Sequence, residues 1–168
     1  MVMVWYATSV KLGSNMAQVT VKGLKAIDNM QDQAKDIVSN ELEDYFTQMS
    51  NDAINMSPVW SGAYVKSFSF KANNSSSRGR RIDGANWRFP KKTGSQADVE
   101  EGRSLLLGDV KAAFAGKDKT FENQSYTLRN DSNHAVFVEH GTLGNKGPKG
   151  PYANGGYKIF KRLKSRYG

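Results

Sequence analysis

Between residues 27 and 56 the apolar side chains Ile27, Met30, Ala34, Ile37, Val38, Leu42, Tyr45, Phe46, Met49, Ala53 and Met56 recur at spacings of three and four. That spacing puts them on one stripe of a helix. At 1.5 Å per residue such a helix is about 30 residues and ~45 Å long. Ser57 and Pro58 follow at once. Proline lacks the amide hydrogen that a helix needs and pushes the residue before it out of the α region, so the helix stops there. In a chain of 168 residues, which suffices for one core, an element of this length is the natural organiser. The other elements must pack on its stripe, with coiled-coil pairing as the alternative.

Residues 64–70 alternate polar and apolar and predict a strand with period two. Residues 73–79, rich in Asn, Ser and Gly, predict a loop. Residues 95–115 predict a shorter helix: Asp98, Glu100 and Glu101 suit its positive end, and Leu105, Leu106, Leu107, Val110, Ala113 and Phe114 give an apolar face. Gly102 and Gly108 weaken it by about 1 kcal/mol each relative to Ala. Residues 121–129 and 135–139 predict two strands joined by Asn130-Asp131-Ser132-Asn133 into a hairpin. A basic helix from 157 to 167 follows a Gly- and Pro-rich segment.

The expected fold class is therefore α+β. A long amphipathic helix packs on a small antiparallel sheet, with a shorter helix in an insertion and a C-terminal basic helix. One domain covers 1–168: an N-terminal arm (1–15), then strand, long helix and first sheet strand (16–72). A basic loop plus helix insertion (73–120), the hairpin (121–142) and the Gly-rich segment with the last helix (143–168) complete it.

The net charge of +8 is unevenly placed. Residues 71–92 hold Lys71, Arg78, Arg80, Arg81, Arg88, Lys91 and Lys92 against Asp83 alone, and residues 143–168 hold seven bases and no acid. The long helix is acidic, with Asp28, Asp32, Asp36, Glu41, Glu43, Asp44 and Asp52 against Lys35. Basic segments attract polyanions by counterion release whatever the base sequence. They serve equally as solvated faces, or as the complement of an acidic neighbour.

The chain has no cysteine, which excludes disulfides, thiolate zinc sites, iron–sulfur clusters and a thiol nucleophile. No apolar run approaches the ~18–20 residues of a membrane span. His134 and His140 flank the expected 135–139 strand. Adjacent strand residues point to opposite faces, so Glu139 and His140 would not converge on a metal or a substrate. The reading is of no catalytic residue, no metal site and no cofactor. A metal-dependent nuclease on His134, Glu139 and His140 is the remote alternative.

Three segments in one order resemble the small tail-component proteins of tailed bacteriophages, known as head-tail joining, neck or tail completion proteins. The first is Val19-Thr20-Val21-Lys22-Gly23-Leu24-Lys25-Ala26-Ile27, similar to that family's opening strand, Gly-Leu turn and helix start. The second, Ser57-Pro58-Val59-Trp60-Ser61-Gly62-Ala63-Tyr64-Val65-Lys66-Ser67-Phe68, resembles Ala-Pro-Val-Asp-Thr-Gly-x-Leu-Arg-x-Ser-Ile. The third, Asn133-His134-Ala135-Val136-Phe137-Val138-Glu139-His140-Gly141-Thr142, resembles Tyr-Ala-x-Tyr-Val-Glu-x-Gly-Thr. Trp60, Ser61, Tyr64 and His134 depart from the family's usual residues, and the 73–120 stretch is longer than its usual hairpin.

The resemblance implies a structural virion protein, assembled in the host cytoplasm and sited in the neck or upper tail. It would form a ring, hexameric in the family, contacting neck or connector proteins, the tail terminator or tube, and packaged DNA in the channel. Gly23, Pro58, Gly62, Ser67, Glu139, Gly141 and Thr142 would be its motif residues. Arg78, Arg80, Arg81, Arg88, Lys91 and Lys92 would meet DNA or a neighbour. A nonspecific nucleic-acid-binding protein is the second reading.

Overall fold

The computed structural model describes residues 24–60, 62–73, 79–82, 93–115, 125–133, 135–141 and 156–168. The expected arm, the 19–21 strand and most of the Gly-rich 141–156 segment lie outside them. Helix α1 runs Leu24–Asn55, 32 residues, and ends where Pro58 required. Beyond it the chain makes a single helical turn, α2 (Ala63–Lys66), then strand β1 (Phe68–Ala72), helix α3 (Gln96–Phe114), strand β2 (Tyr126–Asn130), helix α4 (Ala135–His140) and helix α5 (Ile159–Tyr167). The fold is α+β and mostly helical, with the long helix on a two-stranded sheet.

β1 and β2 are antiparallel, with Phe68 opposite Asn130, Phe70 opposite Leu128 and Ala72 opposite Tyr126. Phe68 and Phe70 both enter the core, as the period-two pattern demands. Four aromatic rings from four elements meet there. Phe46 of α1 lies 4.9 Å from both Phe70 and Tyr126, and Phe114 of α3 stacks on Tyr126 at 5.1 Å. Ala53, Ile54, Val65, Leu106, Val110, Val138, Ile159 and Leu163 extend this core to α2, α3, α4 and α5.

α3 is a central element and packs on α1, α2 and β1. Its start is a reciprocal capping box: the Ser95 hydroxyl accepts from the Asp98 amide, and the Asp98 carboxylate accepts from the Ser95 amide. Gly102, buried in its middle, faces the Val65 carbonyl, which a Cβ there would meet at 2.7 Å. The glycine that weakens the helix is what lets α3 settle on α2.

Three expectations are corrected. Residues 63–66 form a helical turn, closed by bonds from the Lys66 amide to the Gly62 carbonyl and from the Ser67 amide to the Tyr64 carbonyl, and the strand begins only at Phe68. Residues 135–140 are helical, so there is no hairpin with 126–130; β2 pairs with β1 instead. Val136 is exposed while Val138 is buried against the core, a helical disposition that overrides β-branched preference. The third concerns the stripe of α1. Its second half is core, but Met30, Ile37 and Val38 are 69%, 62% and 44% exposed. Spacings of four dominate, so the stripe winds around the helix by about 140° between Met30 and Ala53. Residues 28–34 are moreover exposed on every side of the helix, so that end of α1 lies outside the core altogether.

Candidate interaction site

The second and third motif segments meet. Ser57 and Pro58 end α1, with the Ser57 hydroxyl donating to the Ala53 carbonyl at 2.6 Å. The chain then reverses through Gly62, whose φ is +73°. A side chain there would be strained, and its Cβ would lie 2.5 Å from Cγ of Asp98. Asp98 is a junction: besides capping α3 it takes the Lys66 ammonium at 2.7 Å. The Lys66 bond, reinforced by the Ser95 bonds, holds its carboxyl down at about 2, and Asp98 in turn raises the Lys66 ammonium.

Ser67 turns the chain into β1. Its hydroxyl donates to the Ala63 carbonyl at 2.7 Å and accepts from the Ile82 amide at 3.0 Å, so it satisfies backbone on both sides. Arg80 lies beside it, part-buried. Its guanidinium donates to the Phe68 carbonyl at 2.7 Å and to the Asp109 carboxylate at 2.9 Å. This expected contact residue for DNA or a neighbour thus ties β1 to α3 within the subunit. Arg81 is exposed. Gly23, Arg78, Arg88, Lys91, Lys92, His134 and Thr142 lie outside the described residues.

Glu139, on α4, is the hub of the third segment. One carboxylate oxygen accepts from the Tyr64 hydroxyl at 3.2 Å; the other accepts from the Phe160 amide at 3.1 Å, at the start of α5. Burial, then the Glu139 charge, raises the Tyr64 phenol well above its ordinary range, so Tyr64 remains a donor. Gly141, at φ +74°, ends α4 in the left-handed conformation, its amide bonding the Phe137 carbonyl at 2.8 Å. The Tyr157 and Lys158 amides bond the Val138 and Glu139 carbonyls. One carboxylate and one helix end therefore fasten α2, α4 and α5 together.

The far end of α5 is fastened to α1. Arg166 pairs with Asp52 at 2.5 Å, the Tyr167 hydroxyl donates to the same carboxylate at 2.6 Å, and the Tyr45 hydroxyl donates to the Tyr167 carbonyl. The Tyr167 bond and the Arg166 charge lower the Asp52 carboxyl, against the effect of burial. Lys158, Lys161, Arg162 and Lys164 remain exposed along α5 and its cap.

Sequence reasoning placed Gly62, Ser67, Glu139 and Gly141 in the motifs and Arg80 among the contact residues, but missed Asp98, Tyr64 and Asp109, which meet Gly62, Glu139 and Arg80. The capping-box spacing of Ser95 and Asp98 was the available signal for one of them; Asp109 meets Arg80 across 29 residues and Tyr64 meets Glu139 across 75. Among the described residues no group of three or more His, Asp or Glu converges as metal ligands, and no helix is long and apolar enough to cross a membrane. Compared with known proteins, the chain matches no protein-family model, no curated protein and no solved structure.

Proposed function

We propose that this chain is a non-enzymatic structural protein of a tailed-phage virion, a ring-forming component of the neck or head-tail junction that completes the tail or joins it to the head. The observation that carries the reading is the Tyr64–Glu139–Phe160 joint. It links the second motif segment, the third and the basic terminal helix, the parts that resemble the phage family in their order. Gly62, Ser67, Glu139 and Gly141 act as joints that hold surfaces in fixed relation, as a ring subunit requires. The test is the mass of the purified full chain in solution, together with particles made without it. A closed oligomer and unjoined heads and tails are expected; a monomer at high concentration, with joined and infectious particles in its absence, refutes the proposal.

The exposed bases of α5 favour a second reading, nonspecific binding of nucleic acid. Four phosphate contacts give a log–log salt slope of about −3.6 on duplex DNA. Absence of binding at low salt removes this reading and leaves the first untouched.

A further inference from the structure

The large apolar side chains exposed among the described residues fall mainly into two groups at different places in the fold. One is the stripe on the first half of α1: Met30, Ile37 and Val38. At about 100° per residue, Glu41 lies within this stripe and Asp44 at its edge. The patch is apolar and acidic. The other group is Val136 on α4, 68% exposed, and Tyr157, whose amide is bonded to the end of α4. Lys158, whose amide bonds the Glu139 carbonyl at the same helix end, and Lys161 in the first turn of α5 are exposed, which gives this end of the fold an apolar and basic character.

Complementary patches on one chain invite each other, but both stay exposed, and among the described residues no ion pair joins Glu41 or Asp44 to Lys158 or Lys161. The basic patch lies at the start of α5, whose far end is bonded to Asp52 and Tyr45 of α1. Met30 is a further ~22 Å along the same continuous helix from Tyr45, and a helix without a break does not fold back on itself. We infer that the first half of α1 docks on the α4–α5 patch of a second copy of this chain, stripe against Val136 and Tyr157, with Glu41 and Asp44 facing Lys158 and Lys161. Two different patches in contact make a head-to-tail interface, which repeats until a ring closes or a filament grows. In giving the ring its subunit contact, this inference rests on the reading above.

The test uses two single variants of the full chain, Ile37→Asp and Val136→Asp, studied by sedimentation velocity and circular dichroism. Each places a charge in one patch and leaves the other intact. Each alone is expected to weaken assembly at least about tenfold, as expected for losing one buried aliphatic contact per interface, with unchanged helicity. Mixed together, the two variants are expected to stop at a heterodimer, because only one intact pair of patches remains between them. Charge reversal in two further variants, Glu41→Lys and Lys161→Glu, should weaken assembly singly and recover it when the two are combined in one chain.

A wild-type oligomer indifferent to both Asp variants overturns this inference and leaves the ring reading standing. A wild-type monomer overturns both. Variants that both dissociate yet form no heterodimer on mixing also refute it, because an assembly in which each patch pairs with its own kind, stripe to stripe and α4–α5 to α4–α5, behaves that way. So does an Ile37→Asp variant that unfolds, or melts earlier while still assembling, because the stripe is then covered within its own chain.

Discussion

Replacing Glu139 by Gln removes one acceptor and the charge while keeping the shape of the side chain. The carboxylate offers an oxygen to each of two donors, the Tyr64 hydroxyl and the Phe160 amide. A Gln amide has a single oxygen, and its nitrogen must then face the second donor. Tyr64 is 2% exposed, so water does not easily take the missing place. A hydrogen bond to a charged group contributes about 1.5–3 kcal/mol, and a buried donor left unpaired costs about 1–3 kcal/mol. Glu139→Gln should therefore destabilise the fold by about 2 kcal/mol, which for a chain of this length lowers the melting temperature by about 4–8 °C. Tyr64→Phe, which removes a donor, should cost about 1 kcal/mol. The double variant should cost less than the sum by about 1–2 kcal/mol, because the single Gln oxygen then serves the Phe160 amide and no donor is stranded. Urea denaturation followed by far-UV circular dichroism measures all three. Effects that add within about 0.5 kcal/mol would show that the two groups are not coupled through this bond, and the joint would lose its place as the hub.

Gly102→Ala should destabilise by more than 1 kcal/mol, because its Cβ would press on the Val65 carbonyl. Gly108→Ala, exposed and meeting nothing within 4 Å, should instead stabilise by about 0.5–1 kcal/mol; equal effects at the two sites would refute the close approach of α3 to α2. Gly141→Ala forces a side chain into the left-handed region at the end of α4 and should cost about 1–2 kcal/mol by the same denaturation assay. The Asp98 carboxyl is depressed from 3.8 to about 2, so its ionised form favours the folded state. That contribution is complete above pH 4 and is lost as pH falls toward 2; partial exposure leaves it of order 1–2 kcal/mol. Stability measured against pH should fall less steeply over that interval in Asp98→Asn than in the parent.

Features written in local chemistry were legible in the sequence. Pro58 set the end of α1, the acids after Ser95 set the start of α3, and Phe68 and Phe70 announced a strand. The errors fell where a segment is too short for its period to be measured. Four residues at 63–66 and six at 135–140 contain β-branched and aromatic side chains, and over so few positions helix and strand patterns coincide. Burial decided both. At 63–66, Ala63, Tyr64 and Val65 are all buried, and α3 comes close enough over them only because Gly102 has no side chain. For 135–140, the hub at Glu139 needs a helix end to which the Tyr157 and Lys158 amides can bond. The β1–β2 pairing was hidden because the next apolar run, 135–139, offers a hairpin partner closer in sequence, and the winding of the α1 stripe because each spacing is helical while their sum drifts. Among the site residues, the glycines at positive φ and Ser67 were visible from their types. Arg80 was not, because nothing in its neighbourhood of bases indicates that Asp109 will claim it.

The bond from Tyr167 to Asp52 spans 115 residues, and that from Glu139 to Tyr64 spans 75. Long loops must therefore close before the contacts that reward them exist, and the entropy of closure is spent ahead of the gain. A mostly helical chain would ordinarily fold in microseconds to milliseconds, since helices are local. This one has its two strands and its last helix waiting on distant positions, and its folding should run at the milliseconds-to-seconds pace of β proteins. Its helices should form early, and its joints should finish the molecule.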